Sequence, residues 1–276
     1  MKKLFFILIV ATMAVPGTAM AFDHSYKLWN RDLKQFNQNG YIHYGAWQSN
    51  RGHLDQFLKA MQSVTHREIS GWSAAQRHAF WINTYNALVV IRILEVYPNI
   101  NRMHHRKWII AGQTMKIEAI RDKILRGTES RVLLLSDTLA RKTSMASGRD
   151  LRILFAICEG TQASAPLAAK AYTAKHLSRQ LDKQTKLTLS SASFLRAEPR
   201  LKIFHVGSLF RTYQRDFKEY QGNPLLFEHS AGSDKGVLRF AFNYLDQPTQ
   251  DAVLAKQRWP WRVNYRPAHQ SLNGGD

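Results

Sequence analysis

The sequence predicts an α+β fold: a single compact domain with a long buried helix, at about residues 74–96, packed on a small mixed sheet. Three observations carry that expectation. Apolar residues make up 45% of the 276, with seven Trp and fourteen Phe, enough to fill a large core and to exclude whole-chain disorder. Ser73-Ala-Ala-Gln76 is a capping box opening an apolar stretch that Tyr97-Pro98 ends. Short apolar runs follow it, and neither an internal repeat nor a low-complexity linker divides the chain.

Taken in order, the first element is a leader. Met1-Lys2-Lys3 is basic, Leu4 to Val15 is apolar, Pro16-Gly17 breaks the run, and Ala19-Met20-Ala21 places small residues at a cleavage site. This is the pattern of a secretory signal peptide over residues 1–21, too short to span a membrane. The domain is then expected over residues 22–276, in a periplasmic or secreted protein. Leu54, Phe57, Leu58 and Met61 recur at helical spacing and predict a helix across 52–62. Gln113 to Arg126 reads as a strand-turn plus short helix, with Ile117, Ile120, Ile124 and Leu125 apolar. Leu151 to Ile157 is compact and apolar, and predicts a buried strand. Thr173 is placed to cap a helix carrying Leu177 and Leu181. Lys202 to Val206 predicts a strand, followed by a helix from Ser208 through Phe217. Ser144 to Arg149 and Glu219 to Gly236 read as loops, and the aromatic tail Trp259 to Tyr265 as docked.

Charge and cysteine content narrow the function classes. Lys and Arg number 39 against 20 Asp and Glu, a formal charge of +19. The leader takes two lysines and no acid with it, so +17 travels with the domain. A single cysteine excludes an internal disulfide framework and any Cys-rich zinc module. For an exported chain that basic surface points to an anionic envelope polymer, lipid headgroups or another envelope protein rather than to nucleic acid. No later segment is apolar enough to span a bilayer, because Asn83, Asn86 and Arg92 interrupt the richest one.

The long helix carries the most informative polar residues. On a helical wheel Asn83 and Asn86 flank Val90 inside the apolar arc, whereas Thr84, Arg92 and Glu95 fall on the wet side. A buried amide left unpartnered costs about 1–3 kcal/mol, so two of them imply a polar network inside the fold. They either tie neighbouring backbone segments together or line a pocket beneath a site; the sequence leaves both open.

Common catalytic motifs are missing: no G-x-S-x-G, no Walker loop, no G-x-G-x-x-G and no H-E-x-x-H. The eleven histidines include no i, i+4 pair, and His104-His105 sits in a basic run, Arg102 to Lys107, so no metal or cofactor is expected. Cys158, before Glu159-Gly160, is the one candidate nucleophile, and it reads more readily as a small buried hydrophobe.

Phe80-Trp-Ile-Asn-Thr-Tyr85-Asn-Ala-Leu88 resembles the hallmark helix of the domain-of-unknown-function 547 family. Other pieces follow in that family's order: Gly40 to Trp47, Ala171-Tyr-Thr-Ala174 with Leu177 and Leu181, Tyr213-x-x-Asp216-Phe217, and Ser271-Leu-Asn273. The departures matter as much. Where members usually show Ile-Glu-His, this chain has Ile120-Arg121-Asp122. Against their N-C-x-S-x-S-C-P stretch, with Pro166-Leu167 as the anchor, Glu159 takes the first cysteine's place and Ser164 the second's, leaving Cys158 one residue off. Their closing Tyr-Asp-Trp is Ala268-His269-Gln270 here. A cysteine, a histidine and a carboxylate are what a thiol hydrolase needs. If the family works that way, the resemblance implies a catalytically degenerate member that binds an anionic or glycan-like envelope component or a partner protein. Its candidate binding residues are Asn83, Tyr85, Asn86, Arg121, Asp122, Glu159, Ser164 and Tyr213, with Arg121 and Glu159 expected to form a salt bridge. One alternative is an active thiol hydrolase or transferase using Cys158 with His205, His78 or His269. Another is a basic scaffold that adsorbs to membranes.

Overall fold

The computed structural model describes residues 21–100, 106–127, 150–267 and 274. Residues 1–20 of the leader expected over 1–21, most of the basic run around His104-His105, the expected loop at 144–149 and the segment 268–273 lie outside the described residues.

Helices make up the N-terminal part. Helix α1 (Lys27–Phe36) leads through a hairpin of β1 (Asn37–Gln38) and β2 (Tyr41–Ile42) into α2 (Tyr44–Ser49), α3 (Gly52–Ser63) and α4 (His66–Gly71). Their apolar faces meet in stacked aromatics: the Trp29 ring lies 5.6 Å from Trp47 and 5.9 Å from Phe57, and Phe36 lies 5.3 Å from Trp47. Each such pair adds roughly 0.5–1.5 kcal/mol beyond its buried area.

Helix α5 (Ala74–Leu94) runs through the centre. Its capping box forms as expected: Gln76 N–H donates to Ser73 Oγ at 3.2 Å, and Ser73 N–H to Gln76 Oε1 at 2.9 Å. From Ala79 to Leu94 every residue except Arg92 is buried. Thr84 was expected on a wet face and is wholly buried, because α2, α3, the segment Ile117–Leu125 and a 3₁₀ turn at Ala174–His176 surround the helix. Those neighbours, rather than the sheet, are its main packing partners. Arg92 keeps partial exposure, as expected, and is held by Glu118 at 3.0 Å.

Beyond α5, β3 (Trp108–Ile110) and β4 (Gln113–Met115) form a hairpin whose turn, Ala111-Gly112, has φ of 51° and 73°. Positive φ at both central residues is the turn geometry whose twist matches paired strands. Helix α6 (Ile117–Ala119) follows and widens into a π-helical turn over Ile120–Leu125. Leu151–Phe155 is a 3₁₀ helix, not a strand: its apolar residues pack on α7 (Leu177–Leu189), and among the described residues no strand lies beside them to pair. Thr173 supplies no side-chain cap. Gln180 takes that role, accepting from Thr173 N–H at 2.9 Å and donating to Ala171 O at 2.8 Å.

The mixed sheet is present: β5 (Leu195–Glu198) runs antiparallel to β6 (Ile203–Val206), and β7 (Arg262–Tyr265) parallel to β6. Between β6 and β7 come α8 (Ser208–Thr212), α9 (Gln214–Lys218), α10 (Gly232–Phe242) and α11 (Gln247–Leu254). The expected helix from Ser208 to Phe217 breaks at Tyr213, and the expected loop 219–236 is already helical from Gly232. Gly236 permits that packing, since a Cβ there would fall 1.8 Å from Phe217 O. Phe155, Phe210, Phe217 and Phe240 fill the space between, with Phe155 stacked on Phe240 at 5.6 Å. The buried side chains of both parts join in one contiguous apolar cluster. The chain is an α+β domain.

Candidate functional site

A cavity of about 240 Å³ opens where four segments converge. Helix α5 contributes Tyr85 and Arg92; the α6 segment contributes Glu118 and Arg121; the loop after Cys158 contributes Glu159, Thr161 and Ser164; and the α8 region contributes Ser208, Thr212 and Tyr213. Two arginines face two glutamates, and hydroxyl groups supply most of the remaining polar lining.

The expected Arg121–Glu159 contact forms, with Nη1 to Oε1 at 3.2 Å. The same carboxylate oxygen accepts from the Tyr213 hydroxyl at 2.6 Å. Arg121 also forks onto Asp122, Nε to Oδ1 at 2.9 Å and Nη2 to Oδ2 at 3.0 Å. Arg126 continues the chain, reaching Asp122 Oδ1 at 2.6 Å and Asp216 Oδ2 at 2.5 Å. The guanidinium of Arg126 lies 4.8 Å from the centre of the Tyr213 ring. Tyr213 therefore closes the network on itself, binding Glu159 through its hydroxyl and Arg126 through its face. The π-helical turn sets the spacing, with Arg126 N–H bonded five residues back to Arg121 O at 2.9 Å.

A partly exposed ion pair in isolation is worth at most about 1 kcal/mol, but charges sharing partners reinforce one another. Burial opposes ionisation of Asp122, yet the hydrogen bonds and charges of Arg121 and Arg126 hold its carboxyl below the usual range. The Asp122 hydrogen bonds, in turn, keep Arg121 firmly protonated. Burial, then the charge of Glu159, pushes the phenols of Tyr85 and Tyr213 well above their ordinary value. The site thus presents fixed donors and two engaged carboxylates, Glu118 and Glu159, and its tyrosines stay neutral.

The amide pair is spent elsewhere. Asn83 donates to Tyr172 O at 2.8 Å and accepts from Tyr172 N–H at 3.0 Å. Asn86 donates to Ala156 O at 2.9 Å and accepts from Cys158 N–H at 2.8 Å. Each amide pairs with backbone on a neighbouring segment, so both act as staples and neither lines the cavity. Cys158 does not line it either: it is 3% exposed, and its sulfur accepts from Gly160 N–H at 3.4 Å. Gly160 fits there with φ of 79°, and a Cβ would fall 2.3 Å from Ile93 Cδ1. Ser164 accepts from Glu159 N–H at 3.0 Å and donates to Thr161 O at 2.9 Å, which holds the loop in shape. Asp122 supports Arg121 from outside the lining. Of the histidines proposed beside the thiol, His205 lies on β6 within 3.4 Å of Glu198 and 3.2 Å of Asn264, and His269 lies outside the described residues.

Residues 69–187 match the family model described as "Protein of unknown function, DUF547". That stretch is a DUF547 domain. No curated protein and no solved structure matches the chain. The DUF547 match takes in Tyr85, Arg92, Glu118, Arg121, Glu159 and Ser164, and ends within α7. Ser208, Thr212, Tyr213 and Asp216 lie beyond it, so the cavity is assembled from the matched stretch and the segment after it.

Several site residues escape a reading of the sequence. Arg92 and Glu118 are 26 positions apart, and Arg126 and Asp216 are 90 apart. Asp122 and Arg126 are the exception, an i, i+4 acid–base pair visible in the sequence.

Proposed function

We propose that the chain is an exported protein that binds rather than cuts, and that its pocket takes a neutral, hydroxyl- or amide-rich stretch of an envelope glycan. The observation that carries this reading is the exchange of roles between adjacent residues. Glu159, where relatives usually keep a cysteine, faces the cavity between Arg121 and Tyr213, while the Cys158 thiol is turned into the core. A carboxylate already engaged by a guanidinium and a phenol is an acceptor for ligand donors and a poor nucleophile. Charge argues for a neutral ligand, because both lining arginines are matched by glutamates and an anion would have to displace one of them. Shape argues for an elongated one: a second cavity of about 160 Å³, lined by Gln162, Phe194 and Arg266, shares Ala163 and Ser208 with the first.

Calorimetric titration with linear N-acetylglucosamine oligomers tests this. Saturable binding is expected, weakened roughly tenfold in Tyr213→Phe, the scale of one hydrogen bond to a charged group. Cys158→Ala is expected to bind as the parent does. An absence of saturable binding, together with any hydrolytic activity that Cys158→Ala abolishes, would overturn the reading in favour of a thiol enzyme.

A further inference from the structure

One end of the mixed sheet carries a patch that the pocket does not involve. Glu198, Ile203 and Arg262 are in register there, at the end of β5 and the starts of β6 and β7. The β5–β6 turn projects Arg200 and Leu201, and Arg262 N–H bonds to Lys202 O at 3.0 Å, joining that turn to the approach of β7. The aromatic tail expected to dock splits in two. Trp261 is 1% exposed and packs on Phe204 at 5.4 Å, with its backbone N–H on Ser230 Oγ at 2.9 Å. Trp259, two residues earlier, is 49% exposed, and Leu201 is 56% exposed.

Cations surround these two apolar side chains. Lys202 Nζ and Arg258 Cζ each lie 5.5 Å from the centre of the Trp259 ring. Arg200, Lys256 and Arg262 belong to the same turns, and none of these five cations is ion-paired among the described residues. The nearby acids are engaged already: Glu198 by Arg196 and His205, and Asp234 by Val263 N–H.

We infer that this end of the sheet docks the protein on an anionic lipid bilayer, Trp259 and Leu201 entering the headgroup boundary while the five cations meet lipid phosphates. A tryptophan and a leucine ringed by lysine and arginine have the composition that partitions to a membrane interface. The buried Trp261 fixes the platform beforehand, so docking orders little that is not already ordered. Because the patch is built from β5–β7 and not from the pocket, this inference stands or falls apart from the glycan reading.

Sedimentation with phosphatidylcholine vesicles, with and without phosphatidylglycerol, tests it on the full mature chain. The parent is expected to bind only when phosphatidylglycerol is present. Leu201→Ser/Trp259→Ala leaves the net charge unchanged and is expected to weaken binding about tenfold or more, as loss of two inserted apolar side chains requires. Lys202→Gln/Arg258→Gln is expected to weaken it and flatten its salt dependence. Brominated phosphatidylglycerol gives a check on conservatively substituted protein, quenching parent fluorescence more than that of Trp259→Phe. Vesicle binding unchanged in Leu201→Ser/Trp259→Ala would overturn the inference, since general charge adsorption would then suffice. An equal loss of binding to a soluble single-stranded oligonucleotide would also overturn it, marking the patch as a polyanion site.

Discussion

Two polar networks lie on either side of the segment running from Ala156 to Ser164, and they differ in kind. On one side Asn83 and Asn86 are neutral and buried, and each pairs with backbone on a neighbouring segment. On the other, Arg121, Glu159, Asp122, Arg126 and Asp216 form a charged chain that is partly exposed except at Asp216. Neutral amides suit the interior because they meet backbone donors and acceptors one for one without desolvating a charge. The charged chain sits where water can reach it, around the cavity, and Tyr213 makes it rigid. Buried polarity in this molecule therefore divides into architecture and site, and exposure separates the two.

The largest expected effect falls at the meeting of charge and burial. Asp216 has a side chain 2% exposed, and Asp216→Asn leaves Arg126 with Asp122 alone. A loss of about 3 kcal/mol is expected, near the low end for breaking a buried pair because one partner remains. Urea denaturation would show it as a lower midpoint at unchanged slope. A smaller loss would place the whole charged chain with surface ion pairs and blur the comparison.

Next comes the amide side. Asn86→Ala strands Cys158 N–H and Ala156 O together, for an expected loss of roughly 2–3 kcal/mol with little direct effect on ligand affinity. Measuring stability and glycan affinity on the same variant sharpens the division. If affinity fell while stability held, the amides would belong to the site.

The smallest effect is a matter of pH. The Asp122 carboxyl is lowered in the fold, so its contribution is complete above the unfolded value of about 3.9 and fades as pH falls through the lower folded value. Stability measured below about pH 4 should consequently decline less steeply in Asp122→Asn than in the parent. Equal slopes would show that other carboxylates govern the acid limb.

Local signals were the legible ones. The capping box at Ser73, helix α3 and the buried character of α5 rest on residues within a turn or two of one another. Helix α1 carries the same kind of local signal, with Trp29, Leu33 and Phe36 on one face. Leu151 to Ile157 went wrong for a physical reason: a short apolar run reports burial but not period, and α7 supplies the surface it needs without a partner strand. The wheel places Arg92 correctly, as the one residue from Ala79 to Leu94 that is not buried, but misplaces Thr84, because it assumes a continuous wet face that neighbouring segments cover. In the site, the pairing of Arg121 with Glu159 was legible because two departures from the family pattern carry opposite charge. The link from Arg126 to Asp216 was not, since nothing local marks partners 90 residues apart.

The parallel pairing of β7 with β6 has a consequence for the order of folding. Strand β6 is complete at Val206, but its second neighbour begins only at Arg262, and Gly274 bridges back to Ile42 beside the first hairpin. Contacts of such long range are slow to form, because loop closure must precede the contacts that reward it. The sheet is thus completed only when β7 pairs, long after β6 has been made. Until then β6 keeps an open edge, where a partly folded chain can pair wrongly.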